Sequence, residues 1–286
     1  LVIPDDPDKW FVSIGDAATA TNGSTQWERS TVSMLARVIY NYKGKYLFNG
    51  SFRRDGSSAF SYTGNEWQNF FSLGGGWLMT EEEFMKDYKK WLSSGKLRLS
   101  WGLTGNNRIG EYDYLALLDM IKSHATTSMN NTVYPFDGNN ANVGVAPISL
   151  PNEDLKWETT EQWNLGLDLG FFDERISFTA DLYRKTTRDL LLDATLPYSS
   201  GYLTAMKNIG KVRNDGIELT LNTVNIDNKD FKWSSNFNIS FNKNKVLELA
   251  ENQTSLLSTA TFDQNFNSQP NYIAKIGQPM GMIYGY

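Results

Sequence analysis

Hydrolysis of the triad kind needs a His or Lys base within reach of a nucleophile, and this chain has a single His, His124, in a stretch rich in Asn, Ser and Thr. One His without any Cys cannot build the usual zinc ligand sets. Glu81, Glu82 and Glu83 form an acidic run, but carboxylates at the start of a short helix are accounted for by the helix dipole. Gly74, Gly75 and Gly76 lack the Lys-Ser/Thr that follows a phosphate loop and lie in a strand pattern between Phe71 and Trp77, which predicts a bend or a close approach. The sequons at Asn49, Asn130 and Asn238 are a frequent chance pattern. Tyr112, Tyr114, Tyr134, Phe136, Tyr198 and Tyr202 lie in connecting segments, where rings stack on sugars, clamp peptides or pack loops together. The sequence thus nominates no catalytic, cofactor-binding or metal-ligating residue, needs no cofactor, and singles out no ligand contact.

Composition excludes further classes. Aromatics make up 14% of 286 residues, with 9 Trp, 14 Tyr and 16 Phe, while mean hydropathy stays at -0.44. Apolar and polar residues are therefore interleaved, as a sheet with one greasy and one wet face requires. A net charge of -5 without clustered Lys and Arg argues against a nucleic-acid partner. No apolar run approaches the roughly 20 residues of a membrane helix, whereas barrel strands need only about 9–11 of alternating character. The chain opens on Leu1-Val2-Ile3-Pro4-Asp5, and the expectation is a piece of a longer protein whose signal peptide lies elsewhere.

The elements behind these residues are strands. In 162–172, Trp163, Leu165, Leu167, Leu169 and Phe171 share one face and Gln162, Asn164, Gly166, Asp168 and Gly170 the other. The same count works over Thr31–Tyr42 and over 231–242. Further strands are expected at 10–20, 45–55, 67–78, 96–104, 175–189, 208–223 and 272–286, about ten in all, strung as an antiparallel meander. Connections alternate in length. Tight ones fall at Lys43-Gly44, Asp173-Glu174 and Asp227-Asn228-Lys229, and long polar ones at 56–66, 105–156, 192–207 and 251–271. In an up-and-down sheet that places the tight turns at one rim and the long loops at the other, as in outer-membrane barrels. Residues 80–93, at a tight-turn position, read as a short helix capped by Thr80. Seven tryptophans, at 10, 67, 77, 101, 157, 163 and 233, are expected near strand ends or on the greasy face, as interfacial girdles require.

A series of motifs then follows in order. It comprises Tyr40-Asn41-Tyr42-Lys43-Gly44-Lys45-Tyr46-Leu47, Arg53-Arg54-Asp55-Gly56-Ser57-Ser58, Phe71-Ser72-Leu73 with Gly76-Trp77, and Glu83-Phe84-Met85. It continues through the segment 96–106, then 152–158, Asn164-Leu165-Gly166-Leu167-Asp168, Tyr183-Arg184-Lys185, Asn208-Ile209-Gly210, Asn214-Asp215-Gly216-Ile217-Glu218 and 277–281. Over most of 40–286 this resembles the SusC/RagA family of TonB-dependent transporters. The resemblance implies an all-β, transmembrane barrel of about 22 strands with a plug domain, a TonB box and a SusD-like surface lipoprotein over the mouth. It implies import of a glycan or peptide across the bacterial outer membrane, with outer-membrane lipid around the wall. The whole of 1–286 is expected to be partial barrel, with the plug, the TonB box and the remaining strands supplied from outside it, because about ten strands cannot close around a plugged lumen. Arg53, Asp55, Asp168 and Glu218 are expected on the wet face as charge ties. Two rivals are a soluble β-sandwich or lectin-like binding module, whose greasy face would be covered by protein, and a barrel-embedded hydrolase using His124.

Overall fold

The computed structural model describes residues 26–119, 133–134, 142–143, 146–147, 149–202, 204–249, 253–258 and 270–285. The expected strand at 10–20 and His124 lie outside them. Eight strands form one sheet: β1 (Thr31–Tyr42), β2 (Tyr46–Ser57), β3 (Trp67–Leu78), β4 (Leu92–Asn106), β5 (Glu158–Phe171), β6 (Ile176–Arg188), β7 (Lys211–Asp227) and β8 (Lys232–Glu248). Each pairs antiparallel with its chain neighbours, so spatial order equals sequence order and the edges are β1 and β8.

Period two fixes what each face presents. The register aligns Leu99, Leu165, Leu182, Ile217 and Phe241 in one row across five strands, and Leu97, Leu167, Ala180, Leu219 and Ile239 in the next. The other face carries Lys96, Asp168, Thr179, Thr220 and Asn238 in one row and Arg98, Gly166, Asp181, Glu218 and Ser240 in another. A one-residue slip would exchange the two faces entirely, so the pattern itself specifies the register. No second sheet covers the apolar face among the described residues, and Leu99, Leu165, Ile217 and Phe241 are 53%, 42%, 42% and 58% exposed. A sandwich would bury that face against a layer about 10 Å away.

The rims divide as expected. Tight connections 43–45 and 172–175, the short 228–231 and the segment 79–91 all lie at one end. In the first, Lys43 and Gly44 have φ of 55° and 69°, and Lys45 N–H donates to the Tyr42 carbonyl at 3.1 Å. That is the primed turn whose twist suits paired strands, and glycine is the residue that adopts it without strain. Segment 79–91 differs from the expected capped helix. It forms two 3-10 stretches, Met79–Glu81 and Glu83–Lys90, because the Thr80 hydroxyl is buried and accepts instead from Gly95 N–H at 3.2 Å. The three carboxylates are each paired: Glu81 with Lys89, Glu82 with Lys45 and Glu83 with Lys86, at 3.2, 3.0 and 2.9 Å. Gly74 is a close approach, since a Cβ there would meet the Asn49 amide at 2.7 Å.

Two strand expectations change. The stretch 208–223 begins later, at Lys211, and its first residue, Asn208, belongs to a separate hairpin of Leu191–Thr195 with Thr204–Asn208. The stretch 272–286 is no wall strand among the described residues. It splits into Tyr272–Lys275 and Met282–Ile283, which join Ser255–Ser258 in a small sheet. Gly277 and Gly281, with φ of 86° and 80°, flank Pro279 and turn the chain where alternation alone reads continuous.

Glu82 ties this rim together, accepting from Tyr46 Oη at 2.7 Å, Lys45 Nζ at 3.0 Å and Trp77 Nε1 at 3.2 Å. Those donors, Tyr46 foremost, hold its carboxyl below the usual carboxylate range. A depressed folded value contributes stability that is present above the ordinary glutamate pKa of about 4.3 and lost as pH falls through the lower folded value. In thermal unfolding of the full-length protein in detergent, followed by loss of its compact electrophoretic mobility, the midpoint should fall below about pH 4.3. Glu82→Gln should lower the midpoint at neutral pH and remove that part of the acid dependence. The membrane-facing assignment is tested separately: Leu167→Arg, at the middle of its apolar run, should cost about 2–4 kcal/mol of folding into bilayers by urea titration, and Thr179→Arg on the opposite face markedly less.

Candidate functional site

Polar and buried side chains gather in two places, the polar face of the wall and the loop platform at its long-loop rim. On the polar face, Arg98 is the hub. Its Nε donates to Asp168 Oδ2 at 2.7 Å, and its Nη2 donates to Asp168 Oδ1 at 3.0 Å and to Asp181 Oδ2 at 3.1 Å, linking β4, β5 and β6. Gly166 lies between them in the same row, and a Cβ there would stand 2.5 Å from the guanidinium carbon. Glycine therefore lets the planar guanidinium lie flat across the strand and reach both carboxylates.

Amides and hydroxyls extend the lining sideways. Ser51 and Ser72 share a 2.6 Å bond, Thr160 and Thr187 one of 2.9 Å, and Asn244 donates to Asn214 at 2.8 Å. Asn236 donates to Asn222, which donates to Ser177 at 3.2 Å. Arg53, Asp55, Asp168 and Glu218 all fall on this face, as expected. Arg53 Nε reaches Asp55 Oδ1 at 2.7 Å within its own strand, and Asp168 ties wall to wall through Arg98. Sequence reasoning does not single out Arg98 and Asp181 as a pair, because only the register of three strands brings them into one row.

At the long-loop rim three successive connections share one core. Ala59 and Phe60 from the first, Phe70 on β3, and Ile109, Tyr114, Leu155 and Trp157 from the second are buried together, with Leu191 and Met206 of the hairpin packed against them. Trp157 stacks near Phe60 and Phe70 at 5.5 and 5.9 Å, and its indole N–H donates to the Glu66 carbonyl at 3.2 Å. This corrects the girdle reading of Trp157, which is 7% exposed. Gly105 is fixed by the same packing, since a Cβ would lie 2.1 Å from the Phe70 ring. The amide of Asn208 clamps the hairpin by accepting from Lys156 N–H at 2.8 Å and donating to the Lys156 and Asp189 carbonyls at 2.7 and 3.0 Å.

The loop rings sort accordingly. Tyr114 is buried, its phenol pushed up by burial, and serves the core. Tyr112 is 37% exposed and Tyr202 partly covered, while Phe136 and the side chains of Tyr134 and Tyr198 lie outside the described residues. Tyr62, which sequence reasoning passes over, is 87% exposed, has a φ of 64° and stands 6.3 Å from Tyr114. A bulky residue held in the left-handed region at a loop tip is uncommon.

Aromatic belts bound the apolar face. Tyr42, Tyr46 and Trp77 form one row at the tight-turn rim. Toward the other, Arg54 covers Trp67 at 5.2 Å, and Trp101 and Trp163, in the row of Leu73, lie 6.1 Å apart and both donate to Glu161. Trp67 and Trp77 are 10 residues apart on β3. At about 3.3 Å per residue and a tilt of about 40° this spans about 25 Å, the height of the apolar band of outer-membrane barrels. The hub is open to test. Arg98→Met should cost about 1–2 kcal/mol by urea titration, a modest figure because about a third of the side chain is open to water. Adding Asp168→Asn and Asp181→Asn should restore part of the loss, because the single variant strands two carboxylates.

The family model for the TonB dependent receptor-like β-barrel matches residues 5–285. TonB-dependent receptor P39 of Formosa agariphila is 37% identical over 276 residues, which cover 96% of this chain and 24% of the relative. TonB-dependent receptor SusC of Bacteroides thetaiotaomicron is 39% identical over 220 residues, covering 76% of this chain and 21% of SusC. A chain of the RagAB peptide transporter superposes with a TM-score of 0.74 at 26% identity, over 94% of this chain and 28% of its own. The chain thus spans about a quarter of the length of the proteins it matches. With the two-faced meander and its girdles, these matches establish that the chain belongs to the TonB-dependent receptor β-barrel family, a family of outer-membrane barrels and not of enzymes.

Proposed function

We propose that the barrel to which this wall belongs actively imports a glycan or a peptide across the outer membrane. The observation that carries the reading is the division of the wall into an apolar face and a laterally hydrogen-bonded polar face, with every long connection gathered at one rim. The polar face lines the lumen and meets the plug, and the long-loop rim faces the medium. Ligand is captured at the loop platform beneath a SusD-like lipoprotein, and TonB-driven movement of the plug opens the way inward. The likeness to SusC and to the RagAB peptide transporter supports both the import and the lid partner.

Residues 1–286 then form a continuous part of the barrel, with plug and TonB box supplied by other sequence. Among the described residues β1 and β8 are unpaired on one side, which supports this, because unpaired strand edges are untenable in lipid. Tyr62 and Tyr112 are the exposed platform rings best placed to stack on a sugar or an aromatic side chain. Native mass spectrometry of the assembly extracted from outer membranes should give a mass far above the 32.4 kDa of this chain. A lipoprotein and a bound oligosaccharide or peptide should be released from it. An assembly that carries neither a lipoprotein nor a ligand would overturn the import reading.

A further inference from the structure

The apolar face holds one groove of about 730 Å³, a size typical of small-ligand sites. Its floor is Leu165, Leu182, Ile217 and Phe241, one row of the register. Its upper end, toward the long-loop rim, is the next row, Trp163, Arg184, Asp215 and Lys243. On β6 to β8 this row is where the face changes from the apolar rows that run from Leu165 to Phe171 to charged side chains, which places Arg184 and Lys243 at headgroup depth with hydrocarbon beneath them.

Charge at that end is unbalanced. Arg184, Arg188, Lys211, Arg213, Lys243 and Lys245 fall on this face by register, with Glu161, Asp215 and Glu248 as carboxylates, six cations against three. Both arginines beside Asp215 contact it, Arg184 Nε at 2.6 Å and Arg213 Nε at 3.0 Å, and Arg188 lies 3.7 Å from Glu161. Lys243 and Lys245 form no ion pair among the described residues. The opposite end of the same strands carries nothing similar: the rows Leu169, Phe178, Leu221, Phe237 and Phe171, Ile176, Thr223, Ser235 are uncharged. Solubility in water does not explain a cationic cluster on one rim of a lipid-facing surface, whereas an anionic headgroup does.

We infer that this groove binds an outer-leaflet lipid bearing a phosphorylated headgroup. Acyl chain packs along Leu165, Leu182, Ile217 and Phe241, and phosphate oxygens accept from Arg184, Lys243 and Lys245. The inference rests on the membrane placement of this face, with the long-loop rim outward. Binding one lipid across β5 to β8 staples four strands at the depth where their hydrogen bonds are nearest to water.

The test uses the full-length receptor, purified in detergent and examined by native mass spectrometry with added lipid A. Lipid A should be retained in preference to dephosphorylated lipid A by roughly tenfold or more. Arg184→Gln with Lys243→Gln should lower retention of lipid A by roughly tenfold while the barrel keeps its compact electrophoretic mobility. Equal retention of the phosphorylated and dephosphorylated lipids by the unmodified receptor would overturn the inference, as would unchanged retention by the folded double variant. Since the first comparison needs no substitution, it decides the matter even if the variant fails to fold. Recovery of the receptor from the aqueous fraction without detergent would instead bring down the membrane placement itself, which keeps the two failures apart.

Discussion

In hydrocarbon there is no water to satisfy a backbone N–H or C=O, and that constraint governs the wall. Each strand from β2 to β7 meets it by pairing on both sides with its chain neighbours, and the meander is the topology that does so with the shortest connections. Period two then follows of necessity, because every residue of a paired strand points to lipid or to the interior. Among the described residues, β1 and β8 are the strands where this pairing stops on one side.

Such a wall has no hydrophobic core of its own. Lipid is as apolar as leucine, so the exposed rows of Leu, Ile and Phe gain little from contact with one another and serve to match the solvent. Cohesion comes from the ladder and, on the other face, from lateral ties such as Arg98 with Asp168 and Asp181. The tie depends on Gly166, whose missing side chain is the space the guanidinium occupies. The buried core lies in the water-facing loops, where the hydrophobic effect does operate, and it joins three connections around Phe60, Leu155 and Trp157. Barrel and platform are thus stabilised by different forces in different solvents.

This partition suits the proposed import. A wall held by its backbone leaves the polar side chains free to face a plug or a cargo, and a platform held by its own core can present Tyr62 and Tyr112 without depending on the wall for shape. The lipid site proposed for the cationic end of the outer groove adds a third contact, toward the membrane.

Alternation along the chain determined the strands, their faces and the distribution of tight and long connections, because in a two-solvent sheet each of these is a local property of residue order. The wet placement of Arg53, Asp55, Asp168 and Glu218 came from the same counting. Tertiary structure decided which charges meet, since Arg98 and Asp181 are 83 positions apart and join only through the register of β4, β5 and β6. It also moved Trp157 from the girdle to the loop core, turned the acidic run into three separate ion pairs, and diverted Thr80 from a cap to Gly95. Those outcomes depend on partners distant in sequence, and a period of two carries information about sides and none about neighbours.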